Sequence, residues 1–182
     1  NVAASLAKFG MPAEFVTCLP NNDLGEACLA YLRRFGVGTR HILRSGDRLG
    51  IYYLEAGAAQ RGSKVVYDRS GSAAALIQPG MIDWKEIFQD AGWFHTTGIT
   101  PAISASAAEL SLQSVKAARE YGLTVSCDFN YRGNLWKYGK KAPEVMTELV
   151  KHVDVGIANE EDCQKSLGVK VDESSMDVTS GE

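Results

Sequence analysis

The 182-residue sequence has no long hydrophobic run, no excess of positive charge and no cluster of cysteine or histidine. No stretch approaches the roughly 18 uninterrupted apolar residues that a membrane-spanning helix needs, so no membrane partner is expected. The formal net charge is −3 and no basic stripe occurs, which speaks against nucleic acid as a partner. Cys18, Cys28, Cys127 and Cys163 lie far apart without CxxC spacing, and His41, His95 and His152 are equally scattered. A zinc site is therefore not expected; the thiols read as reduced and the location as cytoplasmic. Neither a GxSxG elbow nor an HExxH metal helix is present. Two near-matches also fail. GAAQRGSK, at 57–64, has the closing residues of a phosphate-binding P-loop in the wrong order and lies between two strands, whereas a P-loop joins a strand to a helix. GVG, at 36–38, lacks the third glycine of a dinucleotide fingerprint.

What is present is a chain long enough for one packed core, 45% hydrophobic and 23% charged, ordinary values for a globular domain. Val2, Leu6 and Phe9 have helical spacing, and that helix is expected to end at Gly10. FVTCLP, at 15–20, reads as a buried strand. Asn21, Asn22, Asp23 and Gly25 form a turn that caps a helix running to about Phe35. A loop and short strand follow in GVGTRHIL. From residue 83 onward helix and strand alternate: helix 83–90, strand 92–98, a helix opened by the capping box Ser106-x-x-Glu109, strand 123–129, helix 143–153, strand 154–158, and a helix beginning at EEDCQKSLG. This rhythm implies an α/β fold with a mostly parallel sheet and helices on both faces. The start at Asn1 without methionine, together with the polar tail VDESSMDVTSGE, reads as a fragment of a longer protein.

Residues 49–69 break the rhythm. LGIYYLE and KVVYDR are rich in Ile, Val and Tyr around a turn-like GAAQRGS, the pattern of a hairpin. With the loop centred near residue 60, Tyr53 lies opposite Tyr67 and Ile51 opposite Arg69. Tyr53, Tyr67 and Arg69 then project from one side. Two phenols and a guanidinium suit a polar ligand; a solvated edge or a dimer interface fits the same pattern.

In open α/β sheets ligands gather beyond the carboxyl ends of the strands. Those ends read Thr97-Gly98-Ile99-Thr100, Asp128-Phe129-Asn130-Tyr131-Arg132 and Asn159-Glu160-Glu161-Asp162. Each alone is explained by helix capping; three together favour a site. The fork of an arginine donates two parallel hydrogen bonds to a carboxylate or phosphate, so Arg69 and Arg132 point to a small anionic polyol. Asn159 with Asp162 offers oxygen ligands of the kind Mg²⁺ takes, with a helix cap by Asn159 as the competing reading.

NVAASLAKFG followed by CLPNNDLGEACLAYLRRFGV resembles the opening of the ribokinase-like carbohydrate kinases, as do the Tyr-rich hairpin and the ANEED strand end. Within that family GIYYLEAG, VVYDR and DFNYR are similar to the kinases of 2-keto-3-deoxygluconate. The resemblance implies a core of residues 1–44 and 73–182 with a β lid at 45–72. It also implies that an N-terminal strand and a C-terminal nucleotide-binding part lie outside this chain. It implies transfer of the ATP γ-phosphoryl group, with Mg²⁺, to the 6-hydroxyl of a keto-deoxy sugar acid. Tyr53, Tyr67 and Arg69 match lid positions that contact substrate, and Arg132 matches a substrate-binding position. Gly98 matches a backbone contact, and Asn1 the residue after the family's Gly-Gly segment. Asn130, Tyr131, Arg132 and Asn159 fall on the nucleotide side, and Asp162 is the one metal-linked candidate. A homo-oligomer formed through the hairpin is expected. The chain departs from the family in lacking the Gly-Gly segment, in carrying Asp162 where Glu is usual, and in lacking GAGD, whose Asp is the general base. No catalytic residue is therefore assigned, and Asp128 is read as structural. The alternatives are a neutral-sugar kinase of the fructokinase or ribokinase type, or a non-catalytic fragment that only binds ligand or dimerises.

Overall fold

A computed structural model describes residues 1–169; the polar tail noted above lies outside the described residues. The chain forms two compact units, residues 1–87 and 88–182.

The first unit contains α1 (Val2–Lys8), β1 (Thr17–Leu19), α2 (Asp23–Arg34), β2 (Ile42–Arg44), β3 (Ile51–Glu55) and β4 (Lys64–Asp68). β1 and β2 pair in parallel, Thr17 with Ile42 through Leu19 with Arg44. Leu19, Leu29 and Ile42 form a buried cluster, with Cys28, Leu32 and Leu49 packed on it. The Asn22 side chain accepts from the Gly25 amide at 3.1 Å and so caps α2, the expected use of an Asx residue before a helix. Arg44 fastens β2 to this turn, donating to the Pro20 carbonyl at 2.8 Å and to Glu26 at 2.5 Å. β3 and β4 are antiparallel, in the register Ile51–Asp68, Tyr52–Tyr67, Tyr53–Val66, Leu54–Val65 and Glu55–Lys64.

After α3 (Trp84–Phe88), the second unit contains β5 (Trp93–Thr97), α4 (Ile99–Ile103), α5 (Ala105–Glu120), β6 (Thr124–Asp128), α6 (Ala142–Leu149), β7 (Val155–Ile157) and α7 (Glu160–Leu167). β5, β6 and β7 form a parallel sheet in that order. The parallel pairings with intervening helices make the chain α/β, as its alternating pattern requires. Side chains alternate across each strand, and the two sheet faces differ. Val125 and Cys127 are fully buried on one face, while Trp93, Val155 and Ile157 are exposed on the other. α5 packs on β5 and β6 with Ala107, Ala108, Leu110, Ser111, Ser114, Val115 and Ala118 buried, the stripe a 3.6-residue period produces.

Two local expectations change. The cap of α5 is Ser104, whose hydroxyl accepts from the Ala107 amide at 3.1 Å, and not Ser106. Ser104 is extended, as a cap must be, and Ser106 already lies inside the helix. The chain also enters α4 directly after Gly98, a helix the sequence pattern did not indicate.

Asp154 precedes β7 and ties the unit together from below. Its Oδ2 accepts from the Val125 amide at 2.8 Å, and its Oδ1 pairs with Arg119 at the end of α5. The Val125 amide first, and then Arg119, hold the carboxyl below its ordinary value of 3.8. Such a group stabilises the fold above its unfolded pKa, and that contribution is lost as pH falls through the lower folded value. Asp154→Asn in the full-length protein is therefore expected to lower the urea midpoint at about pH 7. The gap to the parent is expected to close as pH is taken below about 4; an equal gap at both extremes contradicts this.

Candidate functional site

The carboxyl ends of β5, β6 and β7 lie side by side because the strands are parallel and adjacent. Two backbone bonds knit them: the Gly98 amide donates to the Asp128 carbonyl at 2.7 Å, and the Phe129 amide to the Ile157 carbonyl at 2.9 Å. At Gly98 the approach is too close for a side chain. A Cβ there would stand 2.0 Å from the Phe129 oxygen and 3.0 Å from its carbonyl carbon. The Phe129 ring lies similarly over Gly156, 3.2 Å from where a Cβ would be.

Past β6 the chain turns at Asn130, whose φ of 35° is left-handed. Asparagine tolerates that region better than most residues. The Tyr131 amide then donates to Asp162 Oδ1 at 2.8 Å, and the Asp162 amide to Asn159 Oδ1 at 2.7 Å. Asn159 is thus the cap of α7, and Asp162 is the link between that helix and the β6 end. Farther on, the Tyr138 hydroxyl donates to the Pro101 carbonyl at 2.6 Å, pinning the loop to α4. Burial and then Glu144 push Tyr138 up to about 12, so it remains a donor.

This framework leaves Arg132 exposed. One donor, Nη1, is used on the Tyr131 carbonyl at 2.8 Å. Among the described residues its remaining donors have no protein partner, which is the state of a guanidinium available to an anion. Cys127, by contrast, is fully buried, and burial followed by Asp128 raises its thiol to about 12, so it is no nucleophile.

One group escaped the sequence reading. Ser126 is buried, and its hydroxyl accepts from Trp93 Nε1 at 2.8 Å and lies 2.8 Å from His95 Nδ1. The hydroxyl has two acceptor lone pairs and one donor, so it can either donate to His95 Nδ1 or accept from it, according to the tautomer of the ring. Burial lowers the His95 pKa, partly offset by Asp128, so the ring is neutral near pH 7. Only the β5–β6 register brings these residues together, and sequence spacing carries no trace of it.

Among the described residues no group of three or more His, Cys, Asp or Glu side chains could hold an ion. Asp162 gives one oxygen to the Tyr131 amide, which leaves one carboxylate oxygen for a Mg²⁺ whose other ligands would be waters and substrate phosphates.

In the first unit the hairpin register overturns the expected face. Tyr52, not Tyr53, pairs with Tyr67, and Ile51 pairs with Asp68, not Arg69. Tyr53 therefore projects from the opposite face with Val66, away from Tyr67. The Tyr52 and Tyr67 ring centroids are 6.3 Å apart, and Arg69 lies over the Tyr67 ring at 4.6 Å, a cation–π distance. The reason is the loop. Ala58 and Arg61 bridge across it, so its centre falls between 59 and 60, and that half-residue shift flips Tyr53 to the other side. Asn1 is exposed ahead of α1, with its carbonyl accepting from Ser5 at 2.9 Å.

Polar strand ends on a parallel sheet are where open α/β proteins bind their ligands, and here an exposed arginine stands beside them. The comparison with protein families narrows this: residues 1–179 match the family described as "pfkB family carbohydrate kinase", and the chain belongs to that family. It is 34% identical to the 2-dehydro-3-deoxygalactonokinase of Haloferax volcanii, over 97% of this chain and 55% of that protein. It is 33% identical to the 2-dehydro-3-deoxygluconokinase of Bacillus subtilis, over 75% of this chain and 42% of that one. The crystal structure of the 2-dehydro-3-deoxygluconokinase of Thermotoga maritima superposes with a TM-score of 0.89 at 50% identity, covering 94% of this chain and 52% of that chain. The chain spans about half the length of the curated relatives it matches.

Gly98→Ala is expected to destabilise the protein by about 1–3 kcal/mol, the usual cost of overpacking. The residue's φ of −62° suits alanine, so the whole effect is the clash with Phe129. An unchanged melting temperature would show that the ends of β5 and β6 separate freely.

Proposed function

We propose that the full-length protein is a kinase of 2-keto-3-deoxy sugar acids, transferring the γ-phosphoryl group of ATP to the 6-hydroxyl of 2-keto-3-deoxygluconate. The observation that carries this reading is Arg132, held just past β6 by the Tyr131–Asp162–Asn159 chain with most of its fork unused. A carboxylate takes two parallel bonds from such a fork. Arg69, stacked on Tyr67, is a second cation on a face whose hydroxyls suit a polyol. The names of the relatives above support the substrate class.

The residues of this chain act by binding and orientation. Arg132 takes the acid end, so that the far hydroxyl is the one presented for attack. Gly98 is assigned a backbone contact with substrate, as the family resemblance implies. Asn130, Tyr131 and Asn159 border the nucleotide. ATP and Mg²⁺ supply the transferred group and neutralise its charge when bound. The general base is assigned outside this chain, as the family resemblance implies, and Asp128 keeps a structural role. Ile51, Tyr53 and Val66 are exposed on the hairpin face opposite Tyr52 and Tyr67, and we assign this apolar surface to a second copy of the protein. The 34% identity to the Haloferax volcanii relative favours a galactonate-type acid as the second reading.

Steady-state rates on the full-length protein test the substrate. A keto-deoxy sugar acid is expected to exceed fructose in kcat/KM by about two orders of magnitude or more, since a missing carboxylate leaves charged donors unpaired. Equal values would sink the acid reading in favour of a neutral-sugar kinase. Arg132→Ala is expected to raise KM about tenfold to a hundredfold, the equivalent of one lost charged hydrogen bond; unchanged kinetics would remove Arg132 from the site.

A further inference from the structure

The β3–β4 hairpin stands on a base built from two short legs, residues 48–50 leading out and 68–73 returning. Above that base every residue from Ile51 to Tyr67 is exposed. Below it Ser72 and Ala73 are buried, at 3% and 4% exposure. The legs contain Gly50 and Gly71, the latter with φ of 66°, so their own torsions are soft.

Arg48 spans the two legs. Its Nη1 donates to the Ser70 carbonyl and its Nη2 pairs with Asp68 Oδ1. Its own carbonyl accepts from the Ala73 amide at 2.9 Å. Asp68 lies between Tyr67 and Arg69 in the chain and, pairing with Ile51, points to the opposite face. Arg48 therefore grips the return strand from behind, at the residue separating the phenol from the guanidinium.

We propose that Arg48 is a positioning residue for the Tyr52–Tyr67–Arg69 face: it crosslinks the two legs and fixes the angle at which the hairpin presents that face to the sugar acid. The proposal rests on the reading that this face takes substrate. The clamp removes rotational freedom before ligand arrives, so its loss appears in binding more than in turnover. Arg48 and Asp68 are both partly exposed, at 39% and 46% for the side chains. Screening therefore keeps the effect moderate.

The test uses the full-length protein with Arg48→Ala, Arg48→Lys and Asp68→Asn, read by steady-state kinetics and hydrogen exchange. Arg48→Ala is expected to raise KM for the keto-deoxy sugar acid about threefold to tenfold with kcat within about twofold. Amides at 51–55 and 64–68 are expected to exchange faster, with those at 93–97 unchanged. Arg48→Lys, which keeps the charge, is expected to fall between parent and Ala. Combining Arg48→Ala with Asp68→Asn should add little to either alone. Unchanged KM and unchanged hairpin exchange in folded Arg48→Ala overturn the proposal, as does faster exchange throughout the protein. If Arg48→Ala does not fold, Asp68→Asn, equal in shape and lacking the charge, is judged by the same KM and exchange outcomes. If the parent prefers a neutral sugar, the sugar-acid reading fails separately, and KM for that sugar together with hairpin exchange still decides the role of Arg48.

Discussion

The second unit depends on the contact between the ends of β5 and β6. The Gly98 amide reaches the Asp128 carbonyl at 2.7 Å, and the bare Cα of Gly98 rests on the Phe129 carbonyl. That approach closes the sheet at the edge where ligands gather and sends the chain straight into α4. It also fixes where Phe129 ends and the left-handed turn at Asn130 begins. Everything after it is secured at one remove: Asp162 holds Tyr131, Asn159 holds Asp162, and Tyr138 returns to Pro101. Arg132 is exposed and mostly unengaged because its neighbours are not. Because the backbone that carries Arg132 is already ordered, binding an anion costs side-chain entropy but little backbone entropy.

The first unit is governed by a different constraint, the register of a two-stranded hairpin. A hairpin has only two faces, and one residue of slip exchanges them. The bridge between Ala58 and Arg61 decides that Tyr52, Tyr67 and Arg69 share a face and that Tyr53 does not. Charge and stacking then reinforce the choice, since Arg69 lies over Tyr67 while Arg48 pairs with Asp68 on the reverse.

Much of the fold could be read without coordinates. The alternation of strand and helix from residue 83 onward follows from switches between period 2 and period 3.6, and the Asn22 and Asn159 caps stand where such residues belong. The strand ends were legible for the same reason, because a parallel sheet must gather them on one edge. What could not be read depends on distance or parity. Ser104 and Ser106 both qualify as caps by type, and only the extended backbone of Ser104 decides between them. The Trp93–Ser126–His95 cluster exists through cross-strand pairing alone. The hairpin faces turned on half a residue in the centre of a loop, which composition does not encode. Pro101, near the start of a five-residue helix, gave too short a pattern to mark α4.

The role proposed for Arg132 is that of an anion clamp at the carboxyl end of β6. A crystal structure of the full-length protein with a keto-deoxy sugar acid bound tests it most directly. The acid carboxylate is expected within about 3 Å of the Arg132 guanidinium, the length of a charge-assisted hydrogen bond. A bound sugar acid whose carboxylate lies elsewhere, with Arg132 still turned to solvent, would contradict it.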